Sequence, residues 1–299
     1  MFKKESNKRV LNGSEFTKKI KKRNIDSETV NEENSDTEDE IQIDFSGFEL
    51  APCDFTGIRL LLTQLFLKMH LDISEMTSFL IEQIDIGSVV KVRNESEIDE
   101  NPQNNFDENE DDTVYAVISV VSLTSNEEVR FVNQLKNNLI ELSESYATEK
   151  TKEYIQTIFD DDNNSIGFII NERYLNLPPV ISVQSFSKLK NEIDVYSEKN
   201  PKFNFTHYIM ICKLYKAPVN KKKSTSDQNC EVIWCNTEEE IFNKEADSRF
   251  EYCVSDECDS GLSGFWMEDD IRMLPFRRVL IFSSHKLDEI INKLSTYKQ

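Results

Sequence analysis

Glycine is scarce in this chain, and its scarcity excludes chemistry. Seven glycines in 299 residues leave few places where backbone N–H groups can close around an anion, which is what phosphate-cradling loops require. Neither G-x-x-x-x-G-K-[ST] nor G-x-G-x-x-G occurs, so the usual nucleotide loops are excluded. Histidine is scarcer still. His70, His207 and His285 stand far apart, with no H-E-x-x-H and no mixed His/Cys ligand spacing, so no metal site is expected from them. Gly261-Leu262-Ser263-Gly264 lacks the G-x-S-x-G spacing of a nucleophile elbow. No apolar run reaches the roughly 20 residues that cross a bilayer. The opening Met1-Phe2-Lys3-Lys4-Glu5 leads into polar residues rather than the apolar stretch of a secretory signal. The expectation is a soluble, intracellular chain that does not engage a membrane.

Six cysteines are present, at 53, 212, 230, 235, 253 and 258. In an intracellular chain of this size they read as small buried hydrophobes rather than disulfides. Cys230/Cys235 and Cys253/Cys258 each enclose four residues, wider than the two of a zinc knuckle. Strand alternation through Glu231-Val232-Ile233-Trp234 would point Cys230 and Cys235 apart. No metal is assigned.

What the chain has in excess is negative charge. The net charge is −20, which opposes direct contact with nucleic acid or anionic membrane and favours basic proteins as partners; the same surplus also keeps a protein soluble. Its distribution is uneven. Residues 1–40 read as a disordered tail with a basic half and an acidic half. Lys3, Lys4, Lys18, Lys19, Lys21, Lys22 and Arg23 form two basic clusters separated by polar residues, a pattern suited to a nuclear import receptor. The expected location is the nucleus, with shuttling to the cytoplasm left open. Nine acidic residues lie between Asn94 and Asp112 with Phe106 as the one aromatic, so 94–112 reads as a disordered insertion.

The remainder, 41–299, reads as one domain. Ile41, Ile43 and Phe45 alternate as a strand. Asp54 stands where it can cap a largely apolar helix from Leu60 to Met69, and Ser74 where it can cap a second that stops at Gly87. Strands follow at 88–92 and 114–123, the latter apolar throughout and therefore central. Helical spacing covers 126–144 and 148–159, and Ile166–Ile170 reads as a strand. Helix 181–197, strand 206–216, strand 230–235, helix 237–246, strands 249–255 and 278–283, and helix 286–297 complete the chain. The architecture is α/β (α+β): a mixed central sheet flanked by helices.

No catalytic constellation emerges. Asp160-Asp161-Asp162 reads as a solvated turn rather than an ion site. Phe265, Trp266 and Asp269 lie in a polar loop where an aromatic beside carboxylates can anchor a partner or simply pack the loop down.

Several segments together resemble the BCCIP family, the p21-C-terminal-region-binding proteins. They are Ile43-Asp44-Phe45, Phe55 through Phe66, Ile86 through Lys91 before the acidic insertion, Gly167 through Pro179, Glu238-Glu239-Glu240-Ile241-Phe242, Gly264-Phe265-Trp266 and Leu274-Pro275-Phe276-Arg277. The resemblance spans roughly 41–297. It implies a fold similar to GCN5-related acetyltransferases, whose coenzyme sits on a Q/R-x-x-G-x-G/A loop that this chain lacks. The implied protein is therefore non-enzymatic and without cofactor, an acetyltransferase being the weaker alternative. It would escort a basic large-subunit ribosomal protein of the universal L-fourteen type, or act as an adaptor toward cell-cycle and DNA-repair proteins. Glu172, Arg173, Trp266 and Asp269 are the candidate partner contacts, although Arg173 can equally pair with Glu172 or another nearby carboxylate.

Overall fold

A computed structural model describes residues 16–20, 41–83, 85–92, 113–175, 177–178, 180–217, 232–258 and 273–296. Among the described residues, nine strands form one mixed sheet: β1 (Phe16–Ile20), β2 (Ile41–Phe48), β3 (Ser88–Val92), β4 (Ala116–Ser122), β5 (Ile166–Arg173), β6 (His207–Lys216), β7 (Val232–Trp234), β8 (Ser248–Cys253) and β9 (Leu274–Ser283). Their order is β1-β2-β3-β4-β5-β6-β9-β8, with β7 paired to β6. Every pairing is antiparallel except that between β5 and β6.

Seven helices among the described residues cover the two faces: α1 (Phe55–Phe66), α2 (Ile73–Glu82), α3 (Arg130–Tyr146), α4 (Glu149–Asp160), α5 (Val180–Lys199), α6 (Glu239–Glu245) and α7 (Leu287–Thr296). Strand alternation divides the core between those faces. Phe168, Ile170, Ile209 and Ile211 pack with α1 to α4. Ile169, Tyr208, Met210 and Cys212 pack with α5 to α7. All seven residues of β4 are buried, as its unbroken apolar run requires.

Local differences from the sequence reading have physical causes. Asp54 does not cap α1. Its carboxylate turns back to accept from the Ala51 N–H at 2.9 Å and pairs with Lys91 at 2.5 Å. Asp72, not Ser74, caps α2, accepting from the Glu75 N–H at 3.0 Å. Replacing Asp72 with Ala should lower stability by about 1 kcal/mol, measured by urea unfolding, while Ser74→Ala should leave it unchanged; the reverse ranking would overturn the assignment. α1 buries Ile58, Leu61, Leu62, Leu65 and Phe66 but leaves Leu60 half exposed. Lys18 and Lys19 lie on β1, opposite Ile43 and Gln42, within the stretch read as a tail; Lys3, Lys4, Lys21, Lys22 and Arg23 lie outside the described residues, as does the insertion 94–112. β5 continues three residues past the expected end, through Asn171-Glu172-Arg173.

Topology then fixes where the chain's acidic segments attach. The start of β2, the end of β3, the starts of β4 and β9 and the ends of β5, β6 and β8 share one end of the sheet. Residues 24–40, with eight acidic and no basic side chains, join β2 at that end. Residues 93–112, with nine acidic side chains and Arg93, span β3 to β4 there.

Candidate functional site

The parallel pair β5 and β6 holds register only from Ile166/His207 to Ile169/Met210. Further along, the edge of β6 that faces β5 pairs instead with β7, from Leu214/Trp234 to Lys216/Val232. A wedge therefore opens beyond the carboxyl ends of two parallel strands, the place where open α/β sheets commonly hold ligands. Here the chain fills it. The turn after β7 brings Asn236, Glu238 and Glu239 against Asn171, Glu172 and Arg173, and all six are buried.

Two ion pairs organise the filling. Arg173 reaches Glu238 through Nη2 at 2.9 Å and Nε at 3.3 Å, and its Nη1 donates to the Leu177 carbonyl at 3.0 Å. Ser182 Oγ at 2.7 Å and Asn171 Nδ2 at 3.3 Å also donate to Glu238 Oε1. Lys213 contacts Glu172. Alternation along β5 sends Asn171 and Arg173 toward α5 and Glu172 toward the α1 face. Glu239 lies between them, its Oε1 accepting from Asn171 Nδ2 at 3.0 Å and Asn236 Nδ2 at 2.9 Å.

The three carboxyls are driven in different directions. Burial would raise Glu238, but hydrogen bonds from Arg173 and Ser182 and the Arg173 charge hold it below the ordinary carboxylate range. Burial raises Glu172, with the Lys213 ammonium opposing. Glu239 is pushed well up by burial and then by the negative charge of Glu238, with the side-chain amides of Asn236 and Asn171 opposing. No cation is paired to it among the described residues, so of the three carboxyls it is the one whose surroundings favour the protonated form most. Its Oε2 and Asn236 Oδ1 have no hydrogen-bond partner among the described residues. A cavity of about 10 Å³ remains beside Asn171, Arg173 and Ser182, room for about one water molecule and not for a coenzyme.

The structure buries two of the four sequence-based candidates. Glu172 and Arg173, expected to meet a partner, are interior, where Glu172 meets Lys213 and Arg173 pairs with Glu238 rather than Glu172. Among the described residues of that segment Leu175 is exposed, 71% accessible, a position the sequence reading passed over. Trp266 and Asp269 lie outside the described residues. Asp161 spends its carboxylate on the turn, accepting from the Asn163 N–H at 3.0 Å and Nδ2 at 2.8 Å. Among the described residues, no group of three or more His, Cys, Asp or Glu is placed to hold a metal ion.

Comparison with known proteins places this architecture. The BCCIP family model matches residues 40–242. A zebrafish "Protein BCCIP homolog" is 34% identical over 257 residues, covering 85% of this chain and 83% of the relative. A Drosophila melanogaster "Protein BCCIP homolog" is 32% identical over 260 residues, covering 87% and 85%. The human "BRCA2 and CDKN1A-interacting protein" is 30% identical over 264 residues, covering 87% and 82%. Among solved structures, BCP1 from Saccharomyces cerevisiae shares the fold, with a TM-score of 0.55 at 18% identity over 88% of this chain and 93% of that one. The chain belongs to the BCCIP family.

Proposed function

We propose that this chain is a non-enzymatic escort and adaptor for basic proteins, working in the nucleus, with a large-subunit ribosomal protein of the universal L-fourteen type as its client. The observation that carries the reading is the division of labour within the molecule. The wedge where an α/β sheet would hold a small ligand is filled by the chain's own ion pairs, while the carboxylate-rich segments 24–40 and 93–112 both join one end of the sheet. A ribosomal protein away from its RNA needs a substitute polyanion, and tethered carboxylates supply one. Such a field speeds encounter and weakens with salt. The basic clusters around Lys3-Lys4 and Lys18 to Arg23 suit an import receptor.

The names of the human and bovine relatives, "BRCA2 and CDKN1A-interacting protein", favour a second reading as an adaptor for cell-cycle and DNA-repair proteins. A pull-down from cell extract, washed at moderate salt and read by mass spectrometry, separates the two. Enrichment of one large-subunit ribosomal protein without its ribosomal neighbours supports the escort. Recovery of repair or cell-cycle proteins alone supports the adaptor, and a smear of basic proteins overturns both.

A further inference from the structure

The segment after β5 is built to present one apolar side chain. Arg173 Nη1 holds the Leu177 carbonyl at 3.0 Å, and Leu177 itself is buried in a small core with Phe45, Val90, Ala116 and Ile181. The Tyr174 N–H donates to the Tyr115 carbonyl at 3.0 Å, and the two rings meet edge to face at 6.1 Å. The Leu177 N–H closes back on the Tyr174 carbonyl at 3.2 Å. Between these anchors Leu175 projects with 71% of its surface accessible, and Val180 opens α5 with 51% accessible. A single exposed leucine is ordinary on a protein surface, but one held between anchored neighbours is preorganised, which is what an interface anchor requires.

The surroundings state what chemistry it meets. The segment with nine acidic side chains leaves at Val92 and returns at Thr113, two residues before the Tyr115 that packs on Tyr174. The acidic stretch 24–40 joins β2, whose Phe45 pairs with Val92 and packs on Tyr115. A partner reaching Leu175 therefore approaches the end of the sheet at which both carboxylate-rich segments attach.

We infer that Leu175 and Val180 form the contact surface for a lysine- and arginine-rich segment of a partner protein that also carries apolar side chains. The carboxylates draw the segment in, and the leucine discriminates among basic sequences. This rests on reading the chain as a binder of basic proteins and assigns that reading a surface.

The full chain should be titrated by fluorescence anisotropy with two synthetic basic peptides of equal charge, one with leucines between the lysines and one with serines. The leucine peptide should bind about tenfold more tightly, and Leu175→Asp should remove that preference. Val195→Asp is the control. It adds the same charge at another exposed apolar position, 54% accessible, in the last third of α5, toward the opposite end of the sheet. Charge alone predicts that added Asp strengthens binding to a basic peptide, so a loss at 175 and none at 195 supports the surface. Equal binding of the two peptides to the unmodified chain, or equal behaviour of the two variants, overturns the surface and leaves charge capture standing. Failure of both peptides to bind at moderate salt overturns the reading of the chain as a binder of basic proteins.

Discussion

Glu238→Ala is expected to cost about 3–5 kcal/mol of folding stability, enough to unfold a domain of ordinary marginal stability at physiological temperature. The size follows from what is left behind. Arg173 is 6% accessible and would keep a buried guanidinium with one carbonyl, that of Leu177, for a partner. Asn171 and Ser182 would also lose an acceptor. Exposed pairs such as Lys152–Glu149 carry no such penalty, because water replaces the lost partner. Removing both charges is a different matter. The double variant Arg173→Met/Glu238→Ala should be more stable than the two single losses predict, by up to about 3 kcal/mol, since no uncompensated charge remains. Chemical denaturation of the four-member cycle measures this. A Glu238→Ala variant within about 1 kcal/mol of the parent, at the level of an exposed pair, would mean that the pair is solvated in solution.

The same cycle separates stability from binding. Arg173 is a positioning residue: it reaches the partner surface only through the Leu177 carbonyl and the loop that carries Leu175. The folded double variant should therefore lose its preference for the leucine-bearing peptide while retaining salt-sensitive attraction to basic chains.

Much of this fold was legible from periodicity, because helices and strands with one strong apolar face write that face into the sequence. The run from Val114 to Leu123 demanded a strand covered on both sides, and β4 is that strand. Alternation along the strand expected at 206–216 puts Tyr208, Met210 and Cys212 on one face, and all three pack against α5 to α7. Caps were less legible: Asp72 and Ser74 are both good cap residues, and only the backbone geometry chooses between them. The wedge was not legible at all. Asn171-Glu172-Arg173 looks like the polar start of a loop; it continues as strand because it pairs with Ile118, Val117 and Ala116 of β4, and the Glu238 that satisfies Arg173 in the interior lies 65 residues away in sequence. Local propensity contains no term for that distance. The one available signal was the conjunction of Glu238-Glu239-Glu240 with the apolar Ile241-Phe242, carboxyls at the start of a helix whose next two residues are buried.

Glu239 gives the second large effect, with a sign opposite to the usual carboxylate. Its carboxyl is raised in the folded chain by burial and by the Glu238 charge. Folding therefore favours the protonated form. Above the ordinary glutamate value the unfolded chain has released that proton while the folded chain retains it, so the contribution of this group declines as pH rises. The slope is about 1.4 kcal/mol per pH unit until the folded group itself titrates. Glu238 runs the other way: held low by its hydrogen bonds to Arg173 and Ser182 against the cost of burial, it loses its contribution as pH falls. The pair of neighbours thus narrows stability from both sides.

Glu239→Gln isolates one side. The amide oxygen can still accept from Asn171 and Asn236 as Oε1 does now, and the variant has no proton to lose. Urea unfolding at pH 5.5, 6.5 and 7.5 should show the variant gaining on the parent by about 1.4 kcal/mol for each step, until the parent's own carboxyl ionises and the gap levels. The effect requires Glu239 to be neutral in the folded state. If instead parent and variant keep the same spacing across the range, Glu239 is ionised in the folded chain and has found a cation, and the assignment of two ion pairs and one neutral carboxyl to the wedge is wrong.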